Sequence, residues 1–272
     1  MSRSIIGLFD SGVGGLTVAE EVFRTLPGQR VIYFGDTLNV PYGGRPVAEL
    51  ISFAERIIRF LFEQGAGYII FACNTSSAVS LQLLRERFDV PMIGLIEPGA
   101  AEAVRLSVNG NIGVIATEAT VAAGAYSAAI KRINPRVRVC SRAAPRLVPL
   151  VEAGELDSPR VEQALREYLG SMRDEGIDTL ILGCSHYPFL RPAIERILGS
   201  GVTLVDPAAA TVDAAARDMS RRGLLTGNPG RSIVLSPGHR YFVSGEAAGF
   251  VSVAKKFLGR EPAPVTEICL LR

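Results

Sequence analysis

No apolar run in this chain approaches the roughly 18–20 residues needed to cross a bilayer, so no membrane partner is expected. Basic residues are scattered and the formal net charge is only +2. The clustered basic patch of a nucleic-acid surface is therefore missing, and no nucleic-acid partner is expected. Met1-Ser2-Arg3-Ser4 leads straight into a strand-like run, without the apolar core and cleavage site of a signal peptide, so the expected location is the cytoplasm. Cysteine is sparse: Cys73, Cys140, Cys184 and Cys269, with no CxxC pair. A zinc ribbon or a thioredoxin-type site is thus not indicated, and a large chain without a secretion signal is not expected to form disulfides. Cys140 and Cys269 read as small buried hydrophobes.

What is present is an ordinary globular composition, with 272 residues, 48% hydrophobic and 21% charged. Strand-like runs alternate with helical patterns, which predicts βα units and mostly parallel sheets. Strands are expected at Ile5 to Phe9, Val31 to Phe34, the run ending at Cys73, and Met92 to Ile96. Helices are expected at Leu16 to Leu26, Val47 to Gln64 and Ala78 to Phe88. The pattern then restarts. Ile6 to Ser11 matches Ile112 to Thr117, Val31 to Phe34 matches Val137 to Cys140, the Cys73 strand matches the Cys184 strand, and Ile96-Glu97-Pro98 matches Val205-Asp206-Pro207. Agreement in order at these points predicts an α/β protein of two pseudo-symmetric halves. A helix Ala208 to Arg222, strands Ser232 to Leu235 and Tyr241 to Ser244, and a helix Glu246 to Leu258 form a tail too small to fold alone.

The two most similar segments end in thiols. Gly67 to Ala72 runs into Cys73-Asn74-Thr75, and Asp178 to Gly183 runs into Cys184-Ser185-His186. A buried strand ending in a cysteine, twice, predicts two thiols brought to one place. Facing each other across a substrate, they would be a proton donor and a proton acceptor, which suffices to invert a carbon centre without a cofactor. Helix N-terminal amides lower a thiol pKa. The neighbouring Asn74, Thr75, Ser185 and His186 can hydrogen-bond a substrate carboxylate or amine. The loop Asp10-Ser11-Gly12-Val13-Gly14-Gly15-Leu16-Thr17 is either an anion-binding turn or simply a tight βα turn. It is neither a P-loop nor a GxGxxG fingerprint. Tyr42 and Gly43, after Gly35-Asp36-Thr37, read as ligand-facing or as part of a packed loop, the latter favoured on the residues alone. Thr117 and Thr120 match Asp10-Ser11 in position or serve as helix N-caps.

Taken together, Ile6 to Leu16, Tyr33-Phe34-Gly35-Asp36-Thr37, Val40-Pro41-Tyr42-Gly43, Ala72-Cys73-Asn74-Thr75, Ala116-Thr117-Glu118-Ala119-Thr120 and Gly183-Cys184-Ser185-His186-Tyr187-Pro188 resemble the motifs of the bacterial glutamate racemases. The resemblance implies a pyridoxal-independent enzyme that interconverts L- and D-glutamate and supplies D-glutamate for peptidoglycan. It implies two α/β domains with the active site in the cleft between them, the first discontinuous: residues 1–97 plus 208–272, and residues 98–207. Cys73 and Cys184 would be the two bases, assisted by Asp10 and His186 respectively, with Glu152 a further acidic residue near the second. Asp10, Ser11, Tyr42, Gly43, Asn74, Thr75, Thr117, Thr120, Ser185 and His186 would line the substrate site. No cofactor and no metal are expected, and the expected assembly is a homodimer. Ser185 stands where the family usually has threonine, which keeps the hydroxyl and loses the methyl. No N-terminal extension precedes the first strand, so regulation through one is not expected. Alternatives are a racemase of the same superfamily acting on aspartate or a hydantoin, and an added binding role as a DNA gyrase inhibitor. A thiol-redox role is disfavoured by the lack of CxxC.

Overall fold

The structure is a computed structural model that describes residues 5–225, 238–259, 262 and 264–270. Ten strands among the described residues form two sheets in which every recorded pair is parallel. The strands are β1 (Ile5–Asp10), β2 (Val31–Gly35), β3 (Ala66–Phe71), β4 (Met92–Gly94), β5 (Asn111–Ala116), β6 (Arg138–Ala143), β7 (Thr179–Gly183), β8 (Thr203–Val205), β9 (Arg240–Val243) and β10 (Val265–Glu267). The first sheet runs β10-β9-β2-β1-β3-β4, and the second runs β6-β5-β7-β8.

The central strands are apolar on both faces because helices cover both faces of a parallel sheet. Ile6 and Leu8 of β1 and Tyr68 and Ile70 of β3 enter one core, and Phe9, Ile69 and Phe71 enter the other. That is the period-2 alternation of a strand. In the second sheet Leu180 and Leu182 face one core and Ile181 the other.

The internal repeat is visible in the strand order. Four strands of the first sheet, β2-β1-β3-β4, are ordered as β6-β5-β7-β8 are in the second. In such an order the chain leaves β1 in one direction and returns to pair β3 on the other side. The crevice outside the carboxyl ends at that switch point is where open α/β sheets bind ligands. The loops that emerge there follow Asp10 and Phe71 in one half, and Ala116 and Gly183 in the other. Both cysteines singled out by sequence sit at a switch point.

Several elements depart from expectation. The helix expected over Ala78 to Phe88 is two helices, Asn74–Val79 and Leu81–Arg87, joined at Ser80. The Ser77 and Ser80 hydroxyls donate back to the carbonyls of Cys73 and Ser76 at 2.8 and 2.7 Å, the local side-chain bonding that bends or interrupts helices. The first helix starts directly after Cys73, earlier than apolar periodicity indicated. The strand expected over Met92 to Ile96 ends at Gly94, and a helix Ile96–Leu106 begins at once with Pro98 in its first turn.

In the tail, the helix Pro207–Arg221 packs on the helices Leu16–Thr25 and Ile96–Leu106. Strands β9 and β10 extend the first sheet beyond β2. β10 was not expected. It is three residues long and forms the edge of the first sheet. The strand expected at Ser232 to Leu235 lies outside the described residues. Cys140 is only half-buried and Cys269 is exposed, so neither is the buried hydrophobe expected: β6 and the segment after β10 are peripheral. No helix among the described residues is long and apolar enough to cross a membrane.

Candidate active site

From the end of β1 comes Asp10, fully buried, whose carboxylate accepts the Gly12 N–H and the Ser185 hydroxyl, each at 3.0 Å. The second bond spans the two halves. The glycine loop after Asp10 is needed for close approach. A Cβ added at Gly14 would lie 2.5 Å from Ser185 Oγ, 2.8 Å from His186 Nδ1 and 2.9 Å from the Ser185 carbonyl carbon. Only hydrogen fits where this loop meets the second half.

The end of β2 leads to Asp36, to which no role is assigned from sequence. Its carboxylate accepts the Tyr42 hydroxyl at 2.5 Å, the Asn39 amide at 2.9 Å and the Ser244 hydroxyl at 2.6 Å. These bonds fasten the loop that carries Tyr42 and Gly43. Gly43 in turn accepts the Ala119 N–H of the second half at 3.0 Å, so this loop also spans the halves.

The end of β3 places Cys73 at the N-cap of the helix Asn74–Val79. Thr75 Oγ1 shares a 2.9 Å hydrogen bond with Thr117 Oγ1 at the end of β5, and Thr120 Oγ1 is 3.3 Å from Thr75 Oγ1. Thr117 also caps the helix Glu118–Ala122 by accepting the Thr120 N–H. From the end of β7, Cys184 Sγ lies 3.8 Å from His186 Nδ1, and His186 Nε2 lies 2.6 Å from Glu152 Oε1.

These loops enclose a cavity of about 200 Å³. Cys73 and Cys184 both line it. Ser11, Tyr42, Gly43, Asn74 and Thr75 line it from the first half, and Thr117, Ser185 and His186 from the second. Asp10, Glu152 and Thr120 do not line it. They stand behind it and hold Ser185, His186 and the two threonines. Glu118, Pro145 and Val148 also line it and were not singled out by sequence. No lysine or arginine is among the lining residues. Among the described residues, no group of three or more His, Cys, Asp or Glu is arranged to hold a metal ion.

The two thiols sit in different electrostatic settings. Burial, then the charge of Asp10, pushes the Cys73 thiol from 9.0 up to about 12, against a lowering effect of the Ser76 N–H and hydroxyl. Burial disfavours a charged His186, but the hydrogen bonds to Cys184 and Glu152 outweigh it and hold the imidazole well above its ordinary 6.5. His186 thus lies between a sulfur and a carboxylate. Burial raises the Asp10 carboxyl, although the nearby His186 charge and the Gly12 and Ser185 hydrogen bonds oppose it.

The Cys73 shift has a consequence for stability. The unfolded thiol releases its proton near 9.0, while the folded one keeps it to about 12. The contribution is complete below about pH 9 and is lost as pH rises through about 12. The thermal midpoint should therefore fall across this window. Buried tyrosines such as Tyr33 and Tyr126, whose hydroxyls are also raised by burial, add to the fall. Cys73→Ala should flatten it, and thermal melts of both proteins over this pH range check the difference. Parallel curves would show that the thiol does not ionise late.

The sequence matches the family described as Asp/Glu/Hydantoin racemase over residues 17–215. It is 68% identical to a glutamate racemase of Desulforudis audaxviator, covering 100% of both chains. Among solved structures it resembles glutamate racemase isoform RacE1 from Bacillus anthracis, with a TM-score of 0.91, 37% identity, and 99% and 98% of the two chains covered. It resembles equally the glutamate racemase from Francisella tularensis in complex with D-glutamate, with a TM-score of 0.90, 34% identity and 99% of both chains covered. Two parallel sheets with matching strand order, two thiols on one cavity, and these similarities over the whole length lead to one assignment: the chain belongs to the Asp/Glu/hydantoin racemase family and is an amino-acid racemase.

Proposed function

We propose that this chain interconverts L- and D-glutamate, without a cofactor, by proton transfer between Cys73 and Cys184 at the substrate Cα. The observation that carries this reading is that two thiols, each following the equivalent strand of its sheet, line one small cavity. At about 200 Å³ the cavity is smaller than the roughly 300–1,000 Å³ pockets that hold drug-sized ligands. Its walls offer hydroxyls and an amide, from Ser11, Asn74, Thr75, Thr117 and Ser185. Glutamate as the substrate is supported by the relatives' activity and by D-glutamate in one of their structures.

The α-proton of an amino acid is very weakly acidic. Its removal requires hydrogen-bond donors fixed in advance around the α-carboxylate, where charge develops. His186 Nδ1, 3.8 Å from the Cys184 sulfur, is placed to stabilise negative charge there during proton transfer. Cys73 is held as a thiol by its burial and by Asp10. With L-glutamate bound, the Cys184 thiolate takes the α-proton from one face and the Cys73 thiol returns one to the other. The Cα–H bond and the Cys73 S–H bond break while a Cys184 S–H bond and a new Cα–H bond form, with no net electron transfer. D-glutamate runs the same steps in reverse. Asp10 assists Cys73, and Glu152 acts through His186, whose Nε2 it meets at 2.6 Å.

In this reading residues 1–97 with 208–272 make one domain and 98–207 the other, which is supported by β9 and β10 joining the first sheet. The product D-glutamate serves peptidoglycan synthesis in the cytoplasm. Exhaustively dialysed protein should racemise both glutamate enantiomers and turn over aspartate or a hydantoin far more slowly. Turnover that needs added pyridoxal phosphate, or that prefers aspartate, would overturn the reading.

A further inference from the structure

Tyr126 has no part in the roles assigned above, yet it touches the loops of both thiols. It lies on the helix Ala125–Ile133 of the second half and is 2% exposed. Its hydroxyl donates to Asn74 Oδ1 at 2.6 Å, reaching the residue that follows Cys73. Its ring edge lies against Gly183, the residue before Cys184, where an added Cβ would come within 3.2 Å of ring Cε2. The opposite edge lies against Gly99, where an added Cβ would be 3.4 Å from Cε1. The ring is thus held between two backbones and its hydroxyl has little freedom to move.

A primary amide has one acceptor end and one donor end. A buried phenol needs an acceptor for its proton, and the partner recorded for Tyr126 is Asn74 Oδ1. With Oδ1 engaged, the amide's remaining polar group is its Nδ2, a pure donor, and Asn74 lines the cavity. A donor there suits a carboxylate and offers nothing to an ammonium.

We propose that Tyr126 is a positioning residue: its hydroxyl locks the Asn74 amide with Nδ2 toward the cavity, so that Asn74 donates to a substrate carboxylate. The inference rests on the reading of this cavity as the racemase substrate site. It makes Asn74 a binding group whose orientation is set by the opposite half of the molecule, and it makes binding depend on the two thiol loops keeping their spacing.

The test is Tyr126→Phe in the full chain, which keeps the ring and its glycine contacts and removes only the hydroxyl. KM should rise roughly tenfold for both enantiomers, the size of one well-placed hydrogen bond, with a smaller change in kcat. In an Asn74→Ala background the same substitution should leave KM nearly unchanged, because no amide is left to orient. Where turnover is too slow, substrate binding by calorimetry gives the same ratios. An unchanged KM in Tyr126→Phe would overturn the proposal. So would an equal tenfold rise in the Asn74→Ala background, which would mean that the hydroxyl acts through packing. All ratios are taken against the wild type on whichever amino acid it racemises. Failure on glutamate thus sinks the substrate reading while leaving this comparison intact.

Discussion

Serine in place of either Cys73 or Cys184 is expected to lower racemisation of both glutamate enantiomers by roughly 10³-fold, the scale of a lost general acid or base. In the proposed mechanism each direction uses one thiol to take a proton and the other to give one, so neither direction survives the loss of either. The hydroxyl is of similar shape but far too weakly acidic to ionise in this role. Both sulfurs are buried, and Cys184 keeps its neighbour His186 whichever atom replaces the other thiol. The fold should therefore persist, and a second reaction can demonstrate it. With a halogenated glutamate analogue, one base suffices: it takes the α-proton, a Cα–Cβ double bond forms and halide leaves. Cys73→Ser should still eliminate from the L-analogue and Cys184→Ser from the D-analogue, each with little activity on the other hand. Near-normal racemisation by both variants would show that the thiols are not the bases.

Gly14→Ala should lower kcat/KM by about 10²-fold, although this glycine bears no functional group and does not line the cavity. The added methyl would sit 2.5 Å from Ser185 Oγ and 2.9 Å from the Ser185 carbonyl carbon. A hydroxyl can rotate, but the second contact is backbone, so relief requires the loop and the Ser185 segment to separate. That separation stretches the 3.0 Å bond from Ser185 to Asp10 and shifts Cys184, one residue away, relative to Cys73. Overpacking of this kind costs about 1–3 kcal/mol of stability, so a lower thermal midpoint should accompany the loss. Steady-state kinetics beside a thermal melt check it. A variant with the wild-type midpoint and wild-type kcat/KM would mean that the halves adjust freely here.

How much of this was legible in the sequence depends on how far each interaction reaches along the chain. The thiol-bearing strands were legible because a parallel strand buried on both faces is a short apolar run, and each run ends in a cysteine. The repeat was legible because its matching segments follow in one order. The helix at Asn74 was not, because Asn74, Thr75, Ser76 and Ser77 carry no apolar periodicity and are nonetheless buried. The bonds from Ser185 to Asp10 and from Tyr126 to Asn74 join residues far apart in sequence, and nothing local encodes such a pairing. Asp36 lay inside a quoted motif, but its role as the anchor of the Tyr42 loop depends on Ser244 from the tail. The resemblance to a family supplied Glu152, which the residues around it would not have marked. In the structure its Oε1 lies 2.6 Å from His186 Nε2.

In the proposed mechanism two separate groups, on opposite faces of Cα, exchange protons with the substrate. Racemisation of each glutamate enantiomer in deuterium oxide, stopped early in turnover, tests it most directly. If the two thiols are the bases, the proton that reaches the product comes from the second thiol, which has equilibrated with solvent, while the substrate proton leaves on the first. Product formed from either enantiomer should therefore carry deuterium at Cα, and the recovered substrate should carry almost none. A product that keeps the substrate's own α-hydrogen, or recovered substrate that gains deuterium as fast as the product forms, would mean that a single base, and not two thiols, serves both faces.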